Sequence, residues 1–417
     1  MLIWSVTEKK GNMLKFPKKT IHDVDVRNKI VLVRTDYNVP IENGKVISDS
    51  RITVSLPTLR YLADRGARIV IISHLGRPKG KIDAKYSLEP VADRLQELWP
   101  NQVKFVNDCI GDKVKTQART LRPGGILLLE NLRFHPGEES DNREFAKNIV
   151  KSSGASLFVQ DGFGAVHRAH ASTSAITEYV PSVAGLLLEH EWTTIKGVIS
   201  DPNRPLTAII GGAKIADKLP LINKLIDISD TVIVGGALAN NFLMADGFPV
   251  GASLWDLDMN DEVAKIIAKA KKKYGVNFKQ NFILPVDVAI SKNGSTDGAR
   301  YNVVRSKVTP NSQIFDVGTK TINRIAEAIE RSGTVIWNGT LGLAEKPNFA
   351  HGSSRVALSL ANNPQIYSLV CGGDTASFAQ EWDILNGASF SYLSSGGGAS
   401  LNLIAGQPLP GIDSLLS

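Results

Sequence analysis

Two sets of residues in this chain could do chemistry, and they differ in kind. The first is cationic: Arg34 and Asn38 in VLVRTDYNVP, His74 and Arg77 in SHLGRP, Arg133 and His135 in ENLRFHPGEE, and His167, Arg168 and His170 in DGFGAVHRAHAST, with Arg51 apart in SDSRI. A guanidinium is a planar fork that grips two oxygens of a carboxylate or phosphate, so several converging arginines imply a small anion of multiple charge. The second set is glycine: Gly211-Gly212, Gly235-Gly236, Gly339, Gly372-Gly373 before Asp374, and Gly396-Gly397-Gly398. Without a Cβ, backbone N–H groups can approach a ligand closely, and a helix starting there favours phosphate. The cations occupy the first half of the chain and the glycines the second, which suggests an anion receptor and a nucleotide-binding region. Neither G-x-x-x-x-G-K-[ST] nor G-x-G-x-x-G occurs, so the second region is neither a P-loop nor a standard dinucleotide site.

These residues need elements to hold them. Short runs rich in Val, Ile and Leu recur: KIVLVR, RIVIIS, QVKFV, ILLLE and LFVQD, then LTAIIGG, TVIVGG, FILPVD, TVIWNG, SLVCGG and FSYLSS. Most are apolar at consecutive positions, the pattern of strands covered on both faces of a parallel sheet. Amphipathic stretches lie between them, among them VADRLQELW, REFAKNIV, IADKLPLINKLI, TINRIAEAIE and ASFAQEW. The alternation predicts an α/β fold of two doubly wound, Rossmann-like parallel-sheet domains facing each other across a cleft and joined by a hinge helix. The cations and glycines then fall just after strands, where such sheets bind ligands. Lys214 and Lys218, four apart at an expected helix start, would share one face.

At 417 residues the chain exceeds what one core usually supports. The expected division is 1–188, 189–402 and a C-terminal segment 403–417, with a helix over about 186–200 between the domains. GQPLPGIDSLLS reads as an extended tail that needs a surface to lie on. With 43% hydrophobic and 21% charged residues, the composition is that of a globular protein. The longest apolar runs are far short of the roughly 20 residues that span a bilayer. No cleavable leader is legible at the N-terminus, so a cytoplasmic location is expected. Cys109 and Cys371 read as two reduced thiols rather than a disulfide.

The net charge of +7 leaves nucleic acid open in principle, but only 7% of residues are aromatic and the basic clusters sit beside glycines and acids, which disfavours base stacking. Lys269 and Lys271 to Lys273 follow Asp261 and Glu262 and precede Gly275, the charge order of a capped helix.

At these residues the sequence resembles phosphoglycerate kinase, in order from about Val24 to Gly406. The first half carries VLVRTDYNVP, SDSRI, SHLGRP, ENLRFHPGEE and DGFGAVHRAHAST; the second carries GGAKIADK, ILPVD, IWNGTLGLAE, CGGDTASF and SSGGGASL. The resemblance implies reversible phosphoryl transfer between Mg-ATP and the carboxylate of 3-phosphoglycerate, in the ATP-forming direction of glycolysis, with hinge-bending closure. It implies a phosphoglycerate site of Asp36, Asn38, Arg51, His74, Arg77, Arg133 and Arg168, with His170 assisting. It implies a nucleotide site of Lys214, Lys218, Gly318, Glu345, Gly372, Gly373, Asp374 and Thr375, with Asp374 near the magnesium and Glu345 near the ribose. Arg51 and Lys214 are the expected catalytic cations. The partners are small molecules, with no nucleic acid or membrane, and the expected state is a monomer.

The chain departs from the family pattern at Thr319 and Thr340, where proline is usual, at Ala344 for phenylalanine, at Ser395 for threonine, and in ALANNFL after Gly236. These changes fall in the nucleotide half and predict altered nucleotide affinity or loop rigidity. Residues 1–12 read as an extension, with Met13 an alternative start.

Overall fold

The structure is a computed structural model that describes residues 14–417. It divides into two compact units, one running through Thr194 and resumed by Pro408–Ser417, the other comprising Ile195–Gln407. The expected N-terminal extension lies outside the described residues.

The first unit is built on a six-stranded parallel sheet in the order Val103–Val106, Ile126–Leu129, Arg68–Ile72, Ile30–Arg34, Leu157–Gln160 and Ser182–Ala184. The consecutive apolar pattern has a simple cause. Val31, Val33, Ile69 and Ile71 enter a core on one face, while Ile30, Leu32, Val70 and Ile72 enter a separate core on the other. Helices supply the covering layers. In Arg143–Ser153, Asn142 accepts from the Phe145 N–H at 2.9 Å to start the helix, and left-handed Gly154 ends it.

The second unit repeats the plan: Phe282–Ile283, Thr231–Val234, Leu206–Ile210, Thr334–Asn338, Tyr367–Cys371 and Tyr392–Leu393, all parallel. It also holds a three-stranded antiparallel sheet, Tyr301–Val304, Asp287–Ser291 and Gln313–Val317, that the pattern reading did not foresee. FILPVD is the reason. Pro285 has no N–H to give a ladder, so one strand stops at Ile283 and the next begins at Asp287 in a different sheet. Helix Asn260–Tyr274 has Asp261 and Glu262 in its first turn, Lys271 to Lys273 in its last and Gly275 as its cap. Lys269 pairs with Asp227 at 2.8 Å, so this basic run is structural.

Helix Leu186–Ser200 carries the chain from one unit to the other. Asp161 anchors its start, Oδ1 accepting from Leu187 N at 3.0 Å. The tail is not wholly extended. Pro410–Asp413 forms a short helix, with proline in the first turn where its missing N–H costs nothing. Backbone bonds from Gly411 N to Val166 O, Leu416 N to Ser182 O and Lys19 N to Leu416 O hold it within the first unit. Both cysteines are free and buried. Among the described residues, no helix is long and apolar enough to cross a membrane.

Candidate active site

Each parallel sheet has a point where successive connections leave in opposite directions. In the first it lies beside Ile30–Arg34, flanked by Arg68–Ile72 and Leu157–Gln160; in the second it lies between Leu206–Ile210 and Thr334–Asn338. Loops diverge there and leave a crevice at the carboxyl ends of the strands.

In the first unit this crevice is lined by charge held on charge. Arg34 ends its strand and is buried, yet it points at no solvent: Nε donates to Ser172 Oγ at 2.8 Å, Nη1 to the Thr35 carbonyl, and Nη2 to His74 Nδ1 at 3.1 Å. A guanidinium only donates, so Nδ1 accepts and the His74 proton sits on Nε2. Burial, with Arg34, Arg133 and Arg51 adding to it against Asp36, lowers His74 well below its ordinary value and keeps the ring neutral. Nε2 faces Asp36 Oδ1 at 4.0 Å. Arg51 Nη1 donates to the other Asp36 oxygen. Burial would raise the Asp36 carboxyl, but the guanidinium of Arg51, with that of Arg34, holds it well below the usual range.

A second layer supports the first. Glu138, fully buried, accepts from Ser172 Oγ at 2.7 Å and Ser172 N at 3.1 Å, and lies 4.0 Å from Arg34 Nη2 and 3.7 Å from His170 Nδ1. Asn131 joins two loops, taking Leu75 N and Arg133 N on its oxygen and giving its amide to Leu75 O and Tyr86 O. Arg133 donates to the Gly76 carbonyl at 2.8 Å, and the Gly76 N–H donates to Asn38 Oδ1 at 2.8 Å.

The structure therefore gathers Asn38, Arg51 and His74 on Asp36, joins Arg133 to Asn38 through the Gly76 backbone, and sets His170 behind them on Glu138. Arg77 and Arg168 are exposed; the Arg77 guanidinium has no partner among the described residues, and Arg168 Nε donates to His167 Nε2 at 3.1 Å. A locked array beside cations free to reach out is suited to a compact polyanion.

In the second unit the crevice is made of backbone. A Cβ on Gly339 would lie 2.1 Å from the Gly211 carbonyl oxygen, and Gly339 has φ +89°. Only glycine lets these two strand ends approach so closely. The loops then interlock, Gly212 N donating to Thr340 O at 2.9 Å and Gly236 N to Leu341 O at 3.1 Å. A cavity of about 680 Å³ opens over them, with Gly212, Gly236, Thr340, Glu345 and Asp374 in its lining, together with Leu243, Leu254, Pro285, Val288, Phe315 and Leu343. Its lining thus combines glycine loops with apolar side chains, a mix suited to a ligand that has both an anionic and an apolar part.

Asp374 stands in the first turn of helix Gly373–Trp382, capped by Gly372 at φ +94°. Lys218 Nζ donates to Asn338 Oδ1, and Asn338 Nδ2 donates to the Cys371 carbonyl at 2.7 Å. Burial lowers Lys218 to about 8, against the opposing pull of Cys371, Asp374 and Asp217.

A sequence model of the phosphoglycerate kinase family matches residues 21–407. The chain belongs to that family. It is 40% identical over 399 residues to the phosphoglycerate kinase of Pelotomaculum thermopropionicum, covering 96% of this chain and 99% of the relative. It is 42% identical over 398 residues to that of Moorella thermoacetica, covering 95% and 99%. Among solved structures, the phosphoglycerate kinase of Coxiella burnetii superposes with a TM-score of 0.79 at 35% identity, over 95% of this chain and 98% of that one. That of Pyrococcus horikoshii gives 0.81 at 28% identity over the same shares. The chain is accordingly a phosphotransferase of two parallel-sheet α/β domains.

Of the nucleotide residues that the family resemblance implies, Glu345 and Asp374 line the cavity. Lys214 and Gly373 adjoin lining residues in sequence, and Gly372 precedes Asp374 by two. Lys214 lies in a loop, however, because the helix starts only at Leu219 with Pro220 in its first turn; the shared helical face expected for Lys214 and Lys218 is not formed. The Thr375 hydroxyl is buried and accepts from Gly339 N at 2.7 Å, so it braces the crevice. Gly318 caps helix Thr319–Glu330, where the Asp287 carboxylate already takes the Lys320 and Thr321 N–H groups at 2.9 and 2.8 Å. Gly318 is not in the cavity lining. Of the positions read from the sequence as departures, Thr340 and Ala344 line the cavity, as do Ala237, Ala239, Asn240 and Leu243 of ALANNFL.

Proposed function

We propose that the chain transfers a phosphoryl group reversibly between ATP and the carboxylate of 3-phosphoglycerate, giving 1,3-bisphosphoglycerate and ADP, and that it works towards ATP in glycolysis. What supports this most directly is the Asp36–Arg51–His74 array, held by Arg34 before any ligand arrives.

The attacking carboxylate is ionised at neutral pH, so the reaction needs no general base. The protein's task is to position two anions and stabilise charge on the group in flight. Asn38, His74, Arg77, Arg133 and Arg168 bind the phosphoglycerate in this reading. Asp36 orients Arg51, and His170 supports the array through Glu138. Neutral His74 offers an N–H rather than a charge, a directional contact to one oxygen. Arg51 and Lys214 supply the cations that face the transferring group. Lys218, Gly372, Gly373 and Thr375 shape the phosphate end of the nucleotide site, Gly318 lies beside it, and Glu345 meets the ribose.

Among the described residues, no cluster of three or more His, Cys, Asp or Glu side chains could cage a metal. Asp374 is exposed at a helix N-terminus where phosphates would also lie, and like charges there call for a cation between them. This donor set fits magnesium that enters on the nucleotide and takes one carboxylate plus phosphate oxygens. Such an ion would neutralise charge on the transferring phosphate.

The product is an acyl phosphate that water hydrolyses, so donor and acceptor must meet in a closed, dry arrangement. Helix Leu186–Ser200 is the hinge in this proposal. A cytoplasmic, monomeric enzyme belongs to the same reading.

The test is a coupled assay of ATP consumption with 3-phosphoglycerate and magnesium. Turnover that requires all three is expected; a folded protein that binds ATP and 3-phosphoglycerate but transfers nothing would contradict the proposal.

A further inference from the structure

Arg51 is carried by a helix of a single turn, Ser50–Thr53. So short an element keeps its direction only through what fixes it on either side. On the inner side Ile52 is fully buried, in the core that also holds Val91, Ala92 and Leu95 of helix Glu89–Leu98. On the outer side stands Asp49, which follows the exposed turn at 42–45. An aspartate at a helix start ordinarily accepts from a backbone N–H of the first turn, and the Asp49 side chain makes no such bond. Its carboxylate turns to helix Glu89–Leu98 instead: Arg94 Nε and Nη2 both donate to Asp49 Oδ2, at 3.0 and 2.6 Å. Arg94 Nη1 donates to Glu97 Oε2 one turn further on, which steadies the guanidinium.

The Arg94 and Asp49 side chains are 37% and 33% exposed, so the pair contributes little to stability by itself. What it fixes is geometry. Asp49 and Ile52 lie on either side of Arg51 in the chain, and both are tied to helix Glu89–Leu98, one by charge and one through the shared core. Together they set the rotation of the turn, and with it the line along which Arg51 reaches Asp36. We propose that Arg94 is a positioning residue: through Asp49 it holds the Ser50–Thr53 turn so that the Arg51 guanidinium is presented to an anion bound in the first unit. The inference rests on the reading of Arg51 as a ligand of 3-phosphoglycerate. Arg94 acts only through Asp49. Its loss lowers the fraction of the protein in which Arg51 is in place, and apparent affinity falls by that fraction.

Calorimetric titration of the full chain with 3-phosphoglycerate tests this, with Arg94→Gln and Asp49→Ala made in wild type and again in Arg51→Ala. In wild type each should weaken binding about threefold to fivefold, the range of a partly exposed ion pair, and the two combined should cost no more than either alone. Arg94→Lys should recover most of the affinity, because both guanidinium donors meet one oxygen that a single ammonium can reach. In Arg51→Ala neither substitution should change the affinity that remains, and MgADP binding should be the same throughout. General loosening of the first unit would move both backgrounds alike. That equal loss, or a loss from Arg94→Gln that Asp49→Ala does not share, would overturn the positioning role while leaving the 3-phosphoglycerate site standing. Binding by Arg51→Ala as tight as wild type would overturn the reading of Arg51 and the role of Arg94 with it.

Discussion

The two units present the same architecture and solve the problem of binding an anion in opposite ways. The first places charged side chains at its strand ends and spends buried polar groups to hold them. Arg34, Glu138 and Ser172 are all buried, and they form the platform from which His74 and His170 extend. The second removes side chains from its strand ends so that backbones touch, as Gly339 and Gly211 do, and leaves amides and helix termini at its crevice, a setting that favours an anion. The first crevice should therefore fail when a side chain is deleted, and the second when one is added.

Deleting a buried partner in the first unit should have the largest effect on stability. Glu138→Ala removes the carboxylate that acts most strongly on buried Arg34, and breaking such a pair costs about 3–5 kcal/mol. Chemical denaturation should show the first unit losing that stability while the second is little changed. The matching addition in the second unit is Gly339→Ala. Positive φ and overlap with the Gly211 carbonyl together predict a loss of about 2–4 kcal/mol there. Equal loss in both units from either variant would break the contrast.

The contrast also explains what was legible in the sequence. Arginines and histidines after apolar runs mark the first site by residue type alone, and Arg51, His74 and Arg133 come together as that pattern suggests. Glu138 and Asn131 do not stand out, because an acid or amide in a loop looks like any solvated surface residue until its partners, at Ser172 or Tyr86, are brought to it by the fold. In the second unit glycine pairs mark the loops, but the cavity walls do not. Pro285, Val288 and Phe315 come from the small antiparallel sheet and its approach, an element that the alternating pattern conceals. Lys214 shows the limit of spacing arguments: four residues from Lys218, it is separated by a turn that Pro220 delays into a helix.

A finer distinction lies in protonation. The Lys218 ammonium is lowered from an ordinary lysine value to about 8, so near pH 8 about half the free protein carries no charge there. Phosphate beside it favours the charged form and raises the value. Binding of MgADP at pH 8 should then take up to about half a proton, and affinity should fall as pH rises above 8. Calorimetry in buffers of different ionisation enthalpy reads this uptake, and Lys218→Met should abolish it. No such uptake is expected at this pH for 3-phosphoglycerate, since His74 is held neutral and Asp36 ionised.

The central claim is that the units divide the ligands between them, and reciprocal binding tests it most directly. Calorimetric titration of wild type, Arg51→Ala and Asp374→Asn would be run with 3-phosphoglycerate alone and with MgADP alone. The account predicts that Arg51→Ala weakens 3-phosphoglycerate at least about tenfold with MgADP unchanged, and that Asp374→Asn does the reverse, each consistent with loss of a charged contact. A variant that weakens the other unit's ligand, or 3-phosphoglycerate binding that survives in Arg51→Ala undiminished, would contradict it.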